Sequence, residues 1–281
     1  MDRAKPTAIS KSDTVSEVKP SFGEDRNGVT PELLPEPVVD EEADDLQARM
    51  QKQAFHDATT NALSAGSLEE GLKFYEEYIR LYPNSPYTVT MMNTLGIAYA
   101  RVGRYEDALK VLDQAIELAG DDRFVNTIEV NIAYVYMEAG DLEAAKEQLK
   151  SVMDKPVPDS LDDPYAVTPQ LFTAPSFYAR VLVKEGKFDE ADELLRDVGE
   201  RALKMARENP DVEWLPSYAV LAYENRVNAQ VSKDPPDFAA ARALAEEFHE
   251  KLPNSSGGLT SYEAMLRALN YHEEEYNRTE P

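Results

Sequence analysis

The stretch LGIAYARVGRYEDALKVLDQAIELAG, residues 95–120, decides the fold. It reads as two amphipathic helices hinged at Gly103, because a glycine just past a helix can take the left-handed conformation that ends it without Cβ strain. Two residues on, Tyr105 is placed to pack back on the helix just finished. Three further stands Ala108, whose small side chain lets the two helices approach closely, and four beyond that Leu112 resumes the core. The same order recurs in LSAGSLEEGLKFYEEYIRLYPNSP around Gly66, IAYVYMEAGDLEAAKEQLKSVMDKP around Gly140 and YARVLVKEGKFDEADELLRDVGERAL around Gly186. A more degenerate copy, PPDFAAARALAEEFHEKLPNS, has Pro236 in the glycine slot. Across the copies the large residue is Leu68, Tyr105, Leu142, Phe188 or Phe238, and the small one Gly71, Ala108, Ala145, Ala191 or Ala241. Ser67 with Glu70 forms a capping box ahead of one second helix.

A fixed-period helical unit of this kind stacks into a solenoid. Leu95, Gly96, Tyr99, Gly103, Tyr105, Ala108, Leu112 and Ala115, with Pro83 and Pro253 closing two units, resemble the tetratricopeptide repeat family over residues 48 to 255. The resemblance implies an all-α, right-handed superhelix of about five helix pairs plus a C-terminal capping helix. The units fall at about 52–85, 89–122, 126–159, 172–205 and 222–255, with the capping helix at 260–277, starting at a box of Thr260 and Glu263. Gly66, Gly103 and Gly140 stand 37 residues apart, so each step adds about three loop residues to the family's period of roughly 34. The step to Gly186 is longer, and its excess, DKPVPDSLDDPYAVTPQLF at 154–172, is expected to be a surface excursion.

Residues 1–44 read as a disordered, acidic, proline-containing tail ahead of the repeat domain at 45–281. Leu33, Leu34, Val38 and Val39 in that tail form a candidate docking motif, followed by the acidic run Asp40 to Asp45.

With 53 Asp and Glu against 29 Lys and Arg, the net charge of -24 disfavours nucleic acid, whose binders use cations to release condensed counterions. The chain has no cysteine, which removes disulfides, thiolate metal sites and a cysteine nucleophile. His56, His249 and His272 lie far apart without metal-ligand spacing, and Asp159, Asp162 and Asp163 lack the order of a calcium loop. No phosphate loop or nucleophile elbow is present. The expectation is no enzyme, no cofactor and no metal. Met1–Ser10 has no apolar signal core and no run is long enough to span a membrane, so the expected location is cytoplasmic. Removal of a leader would make it periplasmic or envelope-associated.

The function implied is a non-catalytic scaffold that binds a peptide or protein in its concave groove. The alternative is a structural or assembly subunit of a bacterial envelope or other multiprotein complex, since YIRLYPNSPY resembles envelope repeat proteins. The family lines its groove from the first helix of each pair. Carried over, those slots hold Asn93, Ile97 and Arg101, then Thr127, Val130, Tyr134 and Glu138, then Thr173, Ser176, Arg180 and Lys184, with Arg226 from the fifth unit. This lining is neutral to basic and suits an acidic or extended segment. The Lys and Asn of the family's carboxylate clamp are missing: the slots hold His56 and Thr60, Asn93 and Ile97, and Val130 and Tyr134.

Overall fold

Where two backbones touch, the side chain between them must be small, and this sets every hairpin of the fold. A Cβ added to Gly96 would stand 2.5 Å from Leu112 Cγ, and one on Gly71 3.0 Å from the Ala62 carbonyl oxygen. Ala108, Ala145, Ala191 and Ala241 are fully buried at the matching crossings. The computed structural model describes residues 46–120, 123–158, 160–252 and 258–279. The expected tail at 1–44 lies outside the described residues.

Among the described residues all regular structure is helical, without strands. The pairs are α1 (Leu46–Ser64) with α2 (Leu68–Leu81), α3 (Thr88–Arg101) with α4 (Tyr105–Ala119), and α5 (Val125–Ala139) with α6 (Leu142–Met153). A short α7 (Pro164–Thr168) and a π-helical turn, Pro169–Thr173, lead into the next pair. That pair is α8 (Ala174–Lys184) with α9 (Phe188–Glu208), followed by α10 (Leu215–Val231) with α11 (Phe238–Lys251), and α12 (Gly258–Thr279) closes the array. Each pair packs on the next, and α12 covers both α11 and α10.

Gly103, Gly140 and Gly186 take the positive φ that their hinges require, at 77°, 85° and 76°. Gly66 solves the same turn differently. Its N–H donates to Glu70 Oε2 at 3.1 Å while the Glu70 N–H donates to Ser67 Oγ at 3.2 Å, so the capping box holds the hinge. Asp141 and Asp237 cap α6 and α11 by accepting from the Ala144 and Ala240 N–H groups. Leu68 does not pack back as expected and stays exposed, whereas Tyr105, Leu142 and Phe238 pack on the core.

Three expectations need correction. The 154–172 segment is a surface loop only in its first half. From Pro164 it is helical, and Val167, Phe172 and Thr173 are buried. Pro169 cannot sit in an uninterrupted α-helix, since its ring meets the preceding turn. The backbone instead slips by one residue, with the Ala174 N–H bonding the Pro169 carbonyl in π fashion. The first helix of the fifth pair begins at Leu215 rather than near 222, because Pro216 fits its first turn and Trp214 anchors it edge-on to Phe172 and Tyr218. Finally, α12 starts at Gly258, so Thr260 lies inside the helix rather than capping it.

Ala108→Leu should destabilise the protein by about 1–3 kcal/mol through overpacking, and Gly96→Ala should do likewise against Leu112. Asp113→Leu, at an exposed site of α4, should stay within about 0.5 kcal/mol. Denaturant melts that find equal effects would mean the crossing is misplaced. Burial pushes Tyr75 up to about 12. Burial and the hydrogen bond to Glu76 push Tyr99 up to about 12. Unfolded phenols ionise near pH 10, so their stabilising effect is complete below about pH 10 and is lost as pH rises toward 12. Tyr75→Phe and Tyr99→Phe should each flatten that alkaline loss in melts across this range; an unchanged slope would contradict the burial.

Candidate functional site

The first helices of successive pairs touch one another: α3 meets α5, α5 meets α8 and the π turn, and α8 meets α10. They therefore form the inner face, with α2, α4, α6, α9 and α11 outside. The two layers bury different chemistry. Among the described residues, the buried polar side chains lie on these inner helices, on α7 and the π turn, or at Ser85 in the link before α3. The outer helices bury mainly apolar groups, with the Tyr75 and Tyr78 phenols of α2 and His249 Nδ1 of α11 as polar exceptions. Burying polar groups costs free energy unless each is paired, so a polar inner face needs a reason that packing does not supply.

At the centre, Asn131 Nδ2 donates to Asn93 Oδ1 at 2.8 Å, joining α5 to α3 with both side chains fully buried. Tyr134 meets Phe177 edge-on at 6.1 Å, and the Arg180 guanidinium lies 5.3 Å above the same ring. Phe177 thus joins Tyr134 of α5 to Arg180 of α8. Ile97 is buried, and Lys184, one turn beyond Arg180, is exposed. Arg101 is half-buried at the end of α3. Arg101 Nη2, Thr127 Oγ1, Gln170 Oε1 and Asn225 Nδ2 are buried with no hydrogen-bond partner. Each such group costs about 1–3 kcal/mol while unpaired. On α10, burial pushes the Glu224 carboxyl up from its usual range.

The expected lining residues therefore divide. Asn93, Ile97, Arg101, Tyr134, Arg180 and Lys184 lie on α3, α5 and α8. Arg226 does not join them. It is wedged between outer helices, its Nε 2.8 Å from Asp192 Oδ1 of α9 and its Nη1 3.9 Å from Glu247 Oε2 of α11. The slot-by-slot reading missed Asn131, Phe177, Gln170 and Asn225. Asn93 and Asn131 are 38 residues apart, close to the glycine period, so polar residues recurring at that spacing were the available signal. Asp163, part of the acidic cluster, caps α7 and pairs with Arg123 at 2.7 Å.

A family model described as tetratricopeptide repeat matches residues 60–121, and a second of the same description matches 130–154. These two stretches match the tetratricopeptide repeat. Superkiller protein 3 of Schizosaccharomyces pombe is 28% identical to this chain over 167 residues, a match covering 57% of the chain and 12% of that protein. A crystal structure of nearly identical TPR-like repeats from a Podosopora anserina putative kinesin light chain superposes with a TM-score of 0.51 at 16% identity. The superposition covers 73% of this chain and 96% of that one, and shows the shared fold. Beyond residue 154, where the family models stop, helical pairing continues as α8–α9 and α10–α11.

Asp192→Ala should cost about 1–3 kcal/mol, the worth of a hydrogen bond to a charged group, because it strands the buried Arg226. Lys184→Gln should stay within about 0.5 kcal/mol. Thermal melts that rank the two the other way would place Arg226, and not Lys184, on the free face.

Proposed function

We propose that this chain is a non-catalytic interaction scaffold whose inner face binds an extended peptide or protein segment. The observation that supports this reading is the cationic edge of the inner layer, where the exposed Lys184 of α8 and the half-buried Arg101 of α3 lie on adjoining inner helices of the repeat stack. Arg101, Arg180 and Lys184 outnumber Glu138 on this lining, so in a chain of net charge -24 the groove favours a segment carrying acidic groups, and long-range attraction speeds its capture. This reading needs no cofactor and no metal.

A second reading, an assembly subunit, is favoured by the first pair. Leu46, Met50 and Leu81 are 65%, 56% and 51% exposed there and line one cleft with Tyr82 and Pro83. Among the described residues no helix is long and apolar enough to cross a membrane, so lipid burial of these residues by a spanning helix is not in question.

The test of the first reading is an array of extended acidic and basic peptides probed with the full chain and with an R180Q/K184Q double variant, at low and high salt. The reading expects preference for acidic peptides, loss of roughly tenfold in affinity in the variant, and a smaller difference at high salt. Equal binding by a folded double variant would sink it. Sedimentation across protein concentration tests the second: a defined oligomer dispersed by Leu46→Glu with Leu81→Glu supports assembly, and a monomer at all concentrations contradicts it.

A further inference from the structure

We propose that the outer face carries a recognition site of its own, a basic cleft at the C-terminal end of α9 that takes a phosphorylated segment of another protein. It shares no residue with the inner face. The helix α9 is 21 residues long against 14 in α11. Its later turns and the end of α11 border a cleft of about 890 Å3. Arg201, Lys204, Arg207 and Lys251 line it, with Asp197 and Glu200 as the two acids. All four cations are exposed, so a ligand reaches them without disturbing the core. In a chain of net charge -24, a surface where cations outnumber acids is out of character. The comparable outer cleft between α2 and α4 is balanced, with Glu76 and Asp107 against Arg80 and Lys110.

The hydrogen bonds show which cations are available. Arg201 Nη1 donates to the Leu171 carbonyl at 3.2 Å, and Arg207 Nε to the Leu203 carbonyl at 3.1 Å. Among the described residues neither guanidinium has a carboxylate partner, so each keeps most of its five N–H donors. Lys204 stands 3.9 Å from Glu208, at the outer limit of an ion pair, whereas Lys251 is held by Glu247 at 2.7 Å. Arg201, Lys204 and Arg207 stand three residues apart and follow one row along the helix. Cations in a last turn also complement the helix dipole, but Arg201 lies about two turns before Glu208 and is outside that effect.

The resident acids decide which anion is preferred. A carboxylate brings one charge, no more than Asp197 or Glu200 already offers these cations. A phosphomonoester brings about -1.5 to -2 charges and three acceptor oxygens near neutral pH, and guanidinium groups meet it through paired N–H donors. It therefore gains more from the cations than it loses to the two acids. A protein segment fits better than a free ion, because the half-buried Ala206 and Leu252 give the cleft apolar walls. Those walls suit apolar side chains flanking a phosphorylated residue, and a bare phosphate would leave them wet.

The test uses the full chain and a fluorescent peptide of about ten residues, glycine and leucine around one phosphoserine, read by anisotropy against its serine and glutamate counterparts. The phosphopeptide should bind about tenfold tighter than either counterpart, by a margin that shrinks at high salt. R201Q/R207Q should remove that margin, and R180Q/K184Q should leave it intact. E200Q should tighten phosphopeptide binding about two- to threefold by removing a like charge. Misfolding cannot imitate that gain, so E200Q decides even where the double variant fails to fold. Equal binding of the three peptides would overturn the proposal, as would undiminished binding by R201Q/R207Q or unchanged affinity in E200Q. Loss of the margin in R180Q/K184Q would assign the phosphate to the inner face and contradict an outer site. Displacement of the peptide by inorganic phosphate at equal concentration would leave a small-anion site only and contradict the segment.

Discussion

Everything in this molecule depends on helices being allowed to touch. The contact of Gly96 with Leu112 leaves no room for a Cβ, and the fully buried alanines at 108, 145, 191 and 241 repeat that close approach along the chain. Close crossing makes each pair a stiff plank, and the positive-φ glycines after α3, α5 and α8 set the angle at which its second helix returns. Stacking then follows, because one pair cannot bury its own apolar faces and the next pair completes them. The aromatic knot of Phe172, Trp214 and Tyr218 joins the pairs where the repeat is most irregular.

The same stacking separates two environments. Outer helices meet water on one side and apolar neighbours on the other, and among the described residues they bury no Asn, Gln, Ser, Thr or charged side chain, only tyrosine phenols and His249 Nδ1. Inner helices meet one another, and there, with the π turn, the chain retains Asn93, Thr127, Asn131, Gln170 and Asn225. Packing alone would favour apolar residues at these sites, since buried polar groups add stability only when satisfied. Their confinement to one layer sets the two layers apart chemically. By contrast Arg226, equally buried, already has its carboxylates in Asp192 and Glu247 and serves the architecture.

Much of the fold was legible because it is written in the smallest residues. Glycine and alanine at fixed spacing have a direct steric meaning, so the first four pairs could be placed from Gly66, Gly103, Gly140 and Gly186. The 154–172 segment misled because proline ordinarily argues against helix, whereas a π turn lets Pro169 stay inside one. The fifth pair misled because Pro236 in place of glycine removes the marker of register, and Arg226 of its first helix pairs with carboxylates of α9 and α11. The candidate site was half legible. Slots on α3, α5 and α8 carried over, but Asn131 and Phe177 join those helices by side-chain contacts that slot numbering does not encode.

The central claim is that recognition belongs to the inner layer, and its most direct measurement is photo-crosslinking of a bound extended acidic peptide, with the adducts located by mass spectrometry. The account predicts adducts on α3, α5 and α8, concentrated near Ile97, Tyr134 and Arg180. Adducts confined to the outer helices α4, α9 and α11 would contradict it.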